Sequence, residues 1–271
     1  MLLLRKAYNR GQQGENPMIS WLKKRWFLFR WRRVARVWTV DRLLETTDLD
    51  LSSSERGELE YGIHSWRQLV PWYQRRFGGV PGGEIYCFGV AHGSTVGTLV
   101  RGFRSRNMPV PAMHLFDSFL GLPEEEPGVA VPDIWMKGAF SAPRNQLESM
   151  IASLGLPTDS YRIHEGWFKD TLKADLVEAG VFKPAAYVDI DADLYNSTLE
   201  VLDFLFAHSL IRPGTIIGYD DWGDTDLWTA GESRAHKEIM EKYGARCAQL
   251  LHWGERPLIR KLFLVVSVEK R

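Results

Sequence analysis

Cysteine is scarce in this chain of 271 residues, which contains two, Cys87 and Cys247. Two cysteines without metal-ligand spacing exclude a disulfide framework and fit a reducing compartment. The sequence also lacks any apolar run near the roughly 20 residues that a membrane-spanning helix needs. Its opening, MLLLRK, is too short for the apolar core of a signal peptide. We therefore expect a cytoplasmic protein.

The chain has no net charge, because 34 basic residues balance 34 acidic ones, and the whole therefore gives no sign of a nucleic-acid partner. The charge is uneven, however, since residues 1–40 contain ten Lys or Arg and one acid, Glu15. Residues 18–38 interleave these basic side chains with aromatic ones. Such a helix can lie on an anionic surface such as the inner membrane. Alternatively, its aromatic residues pack on the main domain or on a second copy of the chain in a homo-oligomer.

Composition divides the chain into an N-terminal extension, residues 1–59, and one α/β domain, residues 60–271. We expect the extension to be helical and partly disordered. In the domain, strand-like and helix-like segments alternate, which predicts a mostly parallel sheet with helices on its faces. The predicted strands are Glu84–Val90, Ala112–Phe116, Tyr161–His164, the start of Ala185–Tyr195, Thr215–Asp221, Arg246–His252 and Leu262–Val268, the last two forming an antiparallel pair. The predicted helices are one ending near Arg104, then Glu148–Leu154, Thr171–Ala179, Leu199–His208 and Glu232–Tyr243.

Two of the predicted strands end in clusters of acids. AAYVDIDADLY contains Asp189, Asp191 and Asp193, and TIIGYDD ends in Asp220 and Asp221. Carboxyl ends of parallel strands meet at one edge of the sheet, where α/β folds bind ligands. Clustered carboxylates repel one another unless a positive charge lies among them, which predicts a site for a hard divalent cation. The alternative is that some of these acids only cap helices.

The first predicted strand is followed by a glycine turn, Gly89 to Gly93. Such a turn lets a ligand approach the backbone and the N-terminus of the next helix. The second predicted strand ends in Asp117, placed to accept hydrogen bonds from both ribose hydroxyls of a nucleoside cofactor. The alternative is that Asp117 caps the turn together with Ser118. Because the dinucleotide pattern GxGxxG is absent, the spacing favours S-adenosylmethionine, which has no pyrophosphate.

Four motifs carry a resemblance to a known family. They are Asp117–Pro123 (DSFLGLP), Gly166–Leu172 (GWFKDTL), Asp191–Thr198 (DADLYNST) and Pro213–Asp221 (PGTIIGYDD). Together they resemble the macrocin O-methyltransferase family, whose members methylate sugar hydroxyls with S-adenosylmethionine. The resemblance covers roughly residues 60–268.

The resemblance implies a class I methyltransferase, Rossmann-like fold: a seven-stranded, mostly parallel sheet with an antiparallel last strand. It also implies Mg²⁺ or another divalent cation that chelates vicinal hydroxyls of a glycoside or polysaccharide. By motif, the metal ligands would be Asp191, Asp220 and Asp221. The ribose ligand would be Asp117, and the adenosine would lie near Gly166 and Trp167.

The sequence departs from the family at the glycine turn. The family usually has Glu where this chain has Cys87, and Trp-Arg where it has Ala91-His92. The resemblance implies that an acid at position 87 would help to orient the cofactor. Its absence keeps open a second interpretation, a non-catalytic protein that binds through a methyltransferase-like domain.

For catalysis, Asp191 or Asp193 is the expected base, with His92 and His236 as further candidates. A metal-dependent glycosyltransferase is the other enzymatic interpretation, because Asp191-Ala-Asp193 also reads as a DxD motif for a nucleotide sugar.

Overall fold

The structure is a computed structural model, and it describes residues 83–104, 109–129, 131–223, 231–253 and 258–269. The predicted N-terminal extension, residues 1–59, lies outside the described residues, as does the basic and aromatic segment 18–38 within it. The boundary predicted at residue 60 lies outside them too. All three stay predictions.

The described part alternates strands and helices along the chain. The strands are β1 (Glu84–Phe88), β2 (Met113–Asp117), β3 (Tyr161–Glu165), β4 (Ala185–Ile190), β5 (Ile216–Gly223), β6 (Arg246–Trp253) and β7 (Leu258–Ser267). The helices are α1 (Ser94–Arg104), α2 (Arg144–Leu154), α3 (Phe168–Thr171), α4 (Ala174–Glu178), α5 (Tyr195–Ala207) and α6 (Glu232–Lys242), with a 3₁₀ turn at Asp133–Trp135.

The seven strands form one sheet in the order β3-β2-β1-β4-β5-β7-β6. Strands β1 to β5 pair in parallel, and β7 lies antiparallel between β5 and β6. This arrangement confirms the predicted fold class, including the antiparallel last strand. The order reverses between β1 and β4, and ligands of open α/β sheets bind at such a switch point.

Alternate residues of the central strands pack into two separate hydrophobic cores, one on each face of the sheet. Ile85 and Cys87 of β1 face the core that contains α1 and α2. Tyr86 and Phe88 face the opposite core, which contains α5 and α6. Burial on both faces explains why these strands read as continuous apolar runs.

Several helix and strand boundaries differ from the predicted ones. Helix α2 begins at Arg144 and strand β7 at Leu258, each four residues before its predicted start. Helix α5 begins at Tyr195, four residues before the predicted start, because the backbone becomes helical directly after the extended Leu194. The helix predicted over Thr171–Ala179 is two short helices, since Lys173 between them is extended. Strand β5 continues past its acids to Gly223, because pairing with β7 resumes at Trp222.

The longest described helix has 13 residues. Within the described residues, no helix has the length and apolar character needed to cross a bilayer.

Candidate functional site

The glycine turn after β1 touches the acid-bearing segment after β4 through the backbone. Gly89 has φ of +79°, and a Cβ added there would lie 1.8 Å from the carbonyl oxygen of Asp191. The amide of Asp191 in turn donates a hydrogen bond to the carbonyl of Phe88 at 3.0 Å. Position 89 therefore requires glycine for two reasons, its left-handed backbone and the close approach of a second chain segment.

The carboxylate of Asp117 lies against the same turn. Its Oδ2 accepts the backbone N–H of Ala91 at 2.7 Å, and its Oδ1 accepts that of Phe119 at 2.6 Å. The alternative interpretation, in which Asp117 caps the turn, is therefore seen in the structure, and ribose binding stays a prediction. Each oxygen keeps a second lone pair for a further donor.

The remaining residues predicted to bind the cofactor surround Asp117. Gly93, with φ of +87°, closes the turn, and an added Cβ would lie 2.9 Å from Leu147. The hydroxyl of Ser118 donates to the carbonyl of Gly121 at 3.0 Å, so it shapes the loop after β2. The amide of Gly166 donates to the carbonyl of Asp117 at 3.0 Å, and Trp167 follows at the start of α3. The structure thus brings all six residues to one edge of the sheet, while their contacts with a cofactor stay a prediction.

The predicted metal ligands converge as a group. Asp191, Asp220 and Asp221 each offer one carboxylate oxygen, and the three oxygens lie within 4.8 Å of one another. Opposite oxygens around an octahedral Mg²⁺ are about 4.2 Å apart. A set of three half-buried carboxylates of this span matches the size and the oxygen chemistry that a hard divalent cation requires.

A break in the pairing of β5 aims two of these acids at the site. The β4–β5 ladder ends with the pair Ile190 and Tyr219. On the other side, the β5–β7 register shifts between Tyr219 and Trp222. Asp220 and Asp221 occupy this irregularity, and such bulges redirect side chains next to active sites.

Asp193, predicted as a candidate base, is 7% exposed and has φ of +56°. Burial raises the pKa of its carboxyl to about 9, and a hydrogen bond to Asp221 and the charges of the neighbouring aspartates add to this effect. The proton that Asp193 retains relieves repulsion in the cluster. Asp193 therefore holds the carboxylate of Asp221 by a hydrogen bond. Asp191 is more exposed than Asp193.

Glu232, at the start of α6, was missed by the sequence interpretation. Its side chain is fully buried and lies between the two acid-bearing segments, with hydrogen bonds to the backbone of Ala192 and Asp221. Burial raises the pKa of this carboxyl well above its usual range, and the nearby aspartates raise it further. In the sequence, an acid in the first turn of a helix indicates only a favourable helix dipole interaction.

The two candidate histidines occupy different environments. His236 is buried, and its Nδ1 lies 2.9 Å from the hydroxyl of Tyr219. Burial lowers the pKa of His236 to about 3, so it stays neutral inside the core. His92 is exposed in the glycine turn.

Cys87, which replaces the expected Glu, is 1% exposed and packs in the core beneath α1. Burial raises the pKa of its thiol well above the usual range, and the carboxylate of Asp189 adds to this effect. The thiol is therefore neutral and does not substitute for an acid. In the sheet, however, Cys87 pairs with Asp189 of β4, whose Oδ1 accepts the hydroxyl of Tyr187 at 2.7 Å.

A loop segment spanning residues 118–142 connects the two halves of the site. It starts next to Asp117, and its Leu122 and Trp135 pack on Leu194 of the acid-bearing segment. Large apolar side chains of this segment are exposed: Leu120, Ile134, Met136 and Phe140. Exposed apolar side chains therefore lie on a segment that contacts both halves.

Comparison with known proteins gives one family. Residues 74–242 match the model of the macrocin O-methyltransferase (TylF) family. A curated relative from Streptomyces olivaceus is 30% identical over 149 residues, which are 53% of this chain and 54% of that protein. It is an 8-demethyl-8-(2,3-dimethoxy-alpha-L-rhamnosyl)-tetracenomycin-C 4'-O-methyltransferase. The match thus spans about half the length of that relative.

Two solved structures resemble the described fold. The O-methyltransferase NovP aligns with a TM-score of 0.57 at 19% identity, covering 74% of this chain and 78% of NovP. The calicheamicin methyltransferase CalS11 aligns with a TM-score of 0.53 at 23% identity, covering 84% of this chain and 91% of CalS11. At these identities the likeness establishes the fold.

Proposed function

Since the chain belongs to the macrocin O-methyltransferase family, we propose that it transfers a methyl group from S-adenosylmethionine to a sugar hydroxyl of a glycoside or polysaccharide. The transfer uses a divalent cation, such as Mg²⁺, held by Asp191, Asp220 and Asp221. One observation carries the proposal. The backbone of Asp191, which bears one of the three clustered carboxylates, lies in direct contact with Gly89 of the glycine turn. A methyl donor at the turn and an acceptor at the acids would then be neighbours.

The donor half is formed by the backbone around β1 and by Asp117. The glycine turn joins β1 to α1, the strand-to-helix position at which nucleoside cofactors bind in other α/β folds. Asp117 is held in place by the N–H groups of Ala91 and Phe119. Its remaining lone pairs are the acceptors that we assign to the two ribose hydroxyls.

The acceptor half orients the sugar. A bound Mg²⁺ lowers the pKa of a hydroxyl that it polarises and fixes the position of its oxygen. In the transfer, the hydroxyl oxygen forms a bond to the methyl carbon while the carbon–sulfur bond breaks, and the sulfur keeps the electron pair. The hydroxyl proton passes to a carboxylate, for which we propose Asp191, because Asp193 is buried and bonded to Asp221. Holding the reacting atoms in line contributes several kcal/mol, on the order of 7 or more in favourable cases.

The exposed apolar side chains of the loop segment 118–142 suit an acceptor with an apolar portion. Its acids Glu124, Glu125 and Glu126 would repel the diphosphate of a nucleotide sugar. This charge weighs against the glycosyltransferase interpretation of Asp191-Ala-Asp193, as does the family membership.

We expect metal removal to abolish the reaction. Treatment with EDTA should lower methyl transfer to a rhamnosyl glycoside by at least about 100-fold, since metal polarisation supplies several kcal/mol. Added Mg²⁺ should restore it. Mass spectrometry of the acceptor measures the reaction, because the transfer replaces a hydroxyl hydrogen with a methyl group and so raises the acceptor's mass.

The matched control is binding of S-adenosylhomocysteine, followed by calorimetry with and without EDTA. It should be insensitive to the chelator, because Asp117 and the glycine turn need no cation. Full methyl transfer in EDTA would contradict the metal half of the proposal. Thermal stabilisation by a nucleotide sugar, with none by S-adenosylhomocysteine, would instead favour a glycosyltransferase.

We expect Asp117→Asn to weaken binding of S-adenosylhomocysteine by about 1–3 kcal/mol, the cost of leaving a charged hydrogen-bond site poorly matched. An asparagine at this position has one acceptor oxygen in place of two. Its NH₂ group would face the backbone N–H of either Ala91 or Phe119, which is itself a donor. Calorimetry measures the loss, and Asp133→Asn, an exposed acid of the segment 118–142, is the control. Equal affinities of the two variants would remove the ribose role.

A further inference from the structure

A fully buried glutamate joins the two acid-bearing segments of the site. The side chain of Glu232 is 0% exposed. Its Oε1 accepts the backbone N–H of Ala192 at 3.3 Å, and its Oε2 accepts that of Asp221 at 3.0 Å. One carboxylate therefore connects the segment after β4 with the bulged part of β5.

The bulge explains why this connection is needed. The last pair of the β4–β5 ladder is Ile190 and Tyr219, and the β5–β7 register shifts over Asp220 and Asp221. A buried backbone N–H that leaves a ladder must find another acceptor. Glu232 supplies that acceptor to Asp221 and, with its second oxygen, ties the same point to Ala192.

Both backbone groups lie at or directly beside a candidate metal ligand. Ala192 directly follows Asp191, and the other N–H is that of Asp221 itself. The distance between the two segments decides whether their carboxylate oxygens fall within 4.8 Å of one another. Because Glu232 accepts hydrogen bonds from the main chain of both segments, it constrains the distance between their backbones directly.

The helix that carries Glu232 fixes where this contact is made. Glu232 is the first residue of α6, and from there its buried side chain reaches the backbone of both acid-bearing segments.

We propose that Glu232 is a positioning residue, which sets the spacing of Asp191 and Asp221 so that the three carboxylates bind a divalent cation. The inference rests on the proposed function, because it presumes the metal site. It assigns Glu232 no contact with substrate or cofactor.

The test is Glu232→Gln, with Mn²⁺ as the probe. Glutamine keeps the shape but has one acceptor oxygen, and its NH₂ group meets the second N–H donor. Mn²⁺ affinity, measured by calorimetry, should fall about 10–100-fold, as for other residues that orient metal ligands. Affinity for S-adenosylhomocysteine should stay within about twofold, since Asp117 and the glycine turn are untouched.

Thr215→Val is the matched control at the opposite end of the same strand pair. The Thr215 hydroxyl is buried, donates to the carbonyl of Ala185 at 2.8 Å and accepts the N–H of Arg212. Its loss should destabilise the fold without changing Mn²⁺ affinity. If Glu232→Gln also leaves Mn²⁺ affinity unchanged, or weakens both ligands equally, the positioning role is wrong. If the unaltered protein binds S-adenosylhomocysteine but no Mn²⁺, the metal site fails and this inference with it.

Hydrogen exchange of the unaltered, metal-free protein keeps the inference testable if Glu232→Gln does not fold. The amides of Ala192 and Asp221 should exchange slowly, because both donate to a buried carboxylate. Fast exchange of either amide, while the neighbouring β4 and β5 amides stay protected, would overturn the inference.

Discussion

Replacing Asp191 with asparagine should lower the rate of methyl transfer by about 10³-fold or more, since the change removes a general base and a metal ligand together. A carboxylate at this position has two assigned tasks, accepting the hydroxyl proton and binding the cation. Asparagine keeps the size and one oxygen of the side chain, so the backbone contact between Asp191 and Gly89 should survive. The loss should therefore be one of chemistry and metal affinity, with the fold retained.

The measurement is a single-turnover assay with saturating S-adenosylmethionine, acceptor and Mg²⁺, which separates the chemical step from product release. Asp203→Asn is the control, because Asp203 is an acid of α5 that pairs with Lys242 on the surface. That variant should keep its rate. Binding of S-adenosylhomocysteine to Asp191→Asn should also persist, which shows that the donor half is intact. A rate within tenfold of the unaltered protein would remove the assigned roles of Asp191.

The second large effect is expected from Gly89→Ala, which should destabilise the protein by about 2–5 kcal/mol and abolish cofactor binding. The φ of +79° alone costs about 1–2 kcal/mol for a residue with a Cβ. The added Cβ would also lie 1.8 Å from the carbonyl oxygen of Asp191, a backbone atom that cannot move away without shifting the acid-bearing segment. Such overpacking typically costs another 1–3 kcal/mol, roughly, and here it falls at the centre of the site.

Gly138→Ala separates the two contributions. Gly138 has φ of +81°, nearly that of Gly89, but an added Cβ would have no neighbour within 4 Å. Urea unfolding of this control should report only the backbone term, about 1–2 kcal/mol. If both variants lose equal stability and Gly89→Ala still binds S-adenosylhomocysteine, the close contact between the turn and Asp191 does not exist in solution.

The sequence predicted what depends on local pattern. Apolar runs such as the one before Asp189 predicted strands buried on both faces, and the acids after them predicted a cluster at one sheet edge. Parallel strands force this outcome, because their carboxyl ends all lie on the same side. Topology therefore predicted that the acids after β4 and β5 meet at one edge, whereas the choice of Asp191, Asp220 and Asp221 as ligands came from the family motifs.

Features that depend on contacts between distant segments were not predictable. The bulge at Asp220 exists because β7 pairs with β5 on both sides of it, and nothing in TIIGYDD records that partner. Glu232 has the same difficulty, since its two acceptor contacts reach residues 11 and 40 positions away. The early start of α5 at Tyr195 was missed because the acids before it were read as the end of a strand.

The backbone contact between Gly89 and Asp191 has a consequence for redesign of the proposed activity. Because two main chains touch there, the proposed separation of methyl donor and acceptor oxygen would be set by the scaffold and would not depend on which sugar is bound. The loop segment 118–142, by contrast, meets the acid-bearing segment mainly through the side chains of Leu122 and Trp135. Mutant libraries for new acceptors should therefore vary the exposed positions of that loop and leave the glycine turn unchanged. Acceptor binding could then be altered without changing the separation of donor and acceptor.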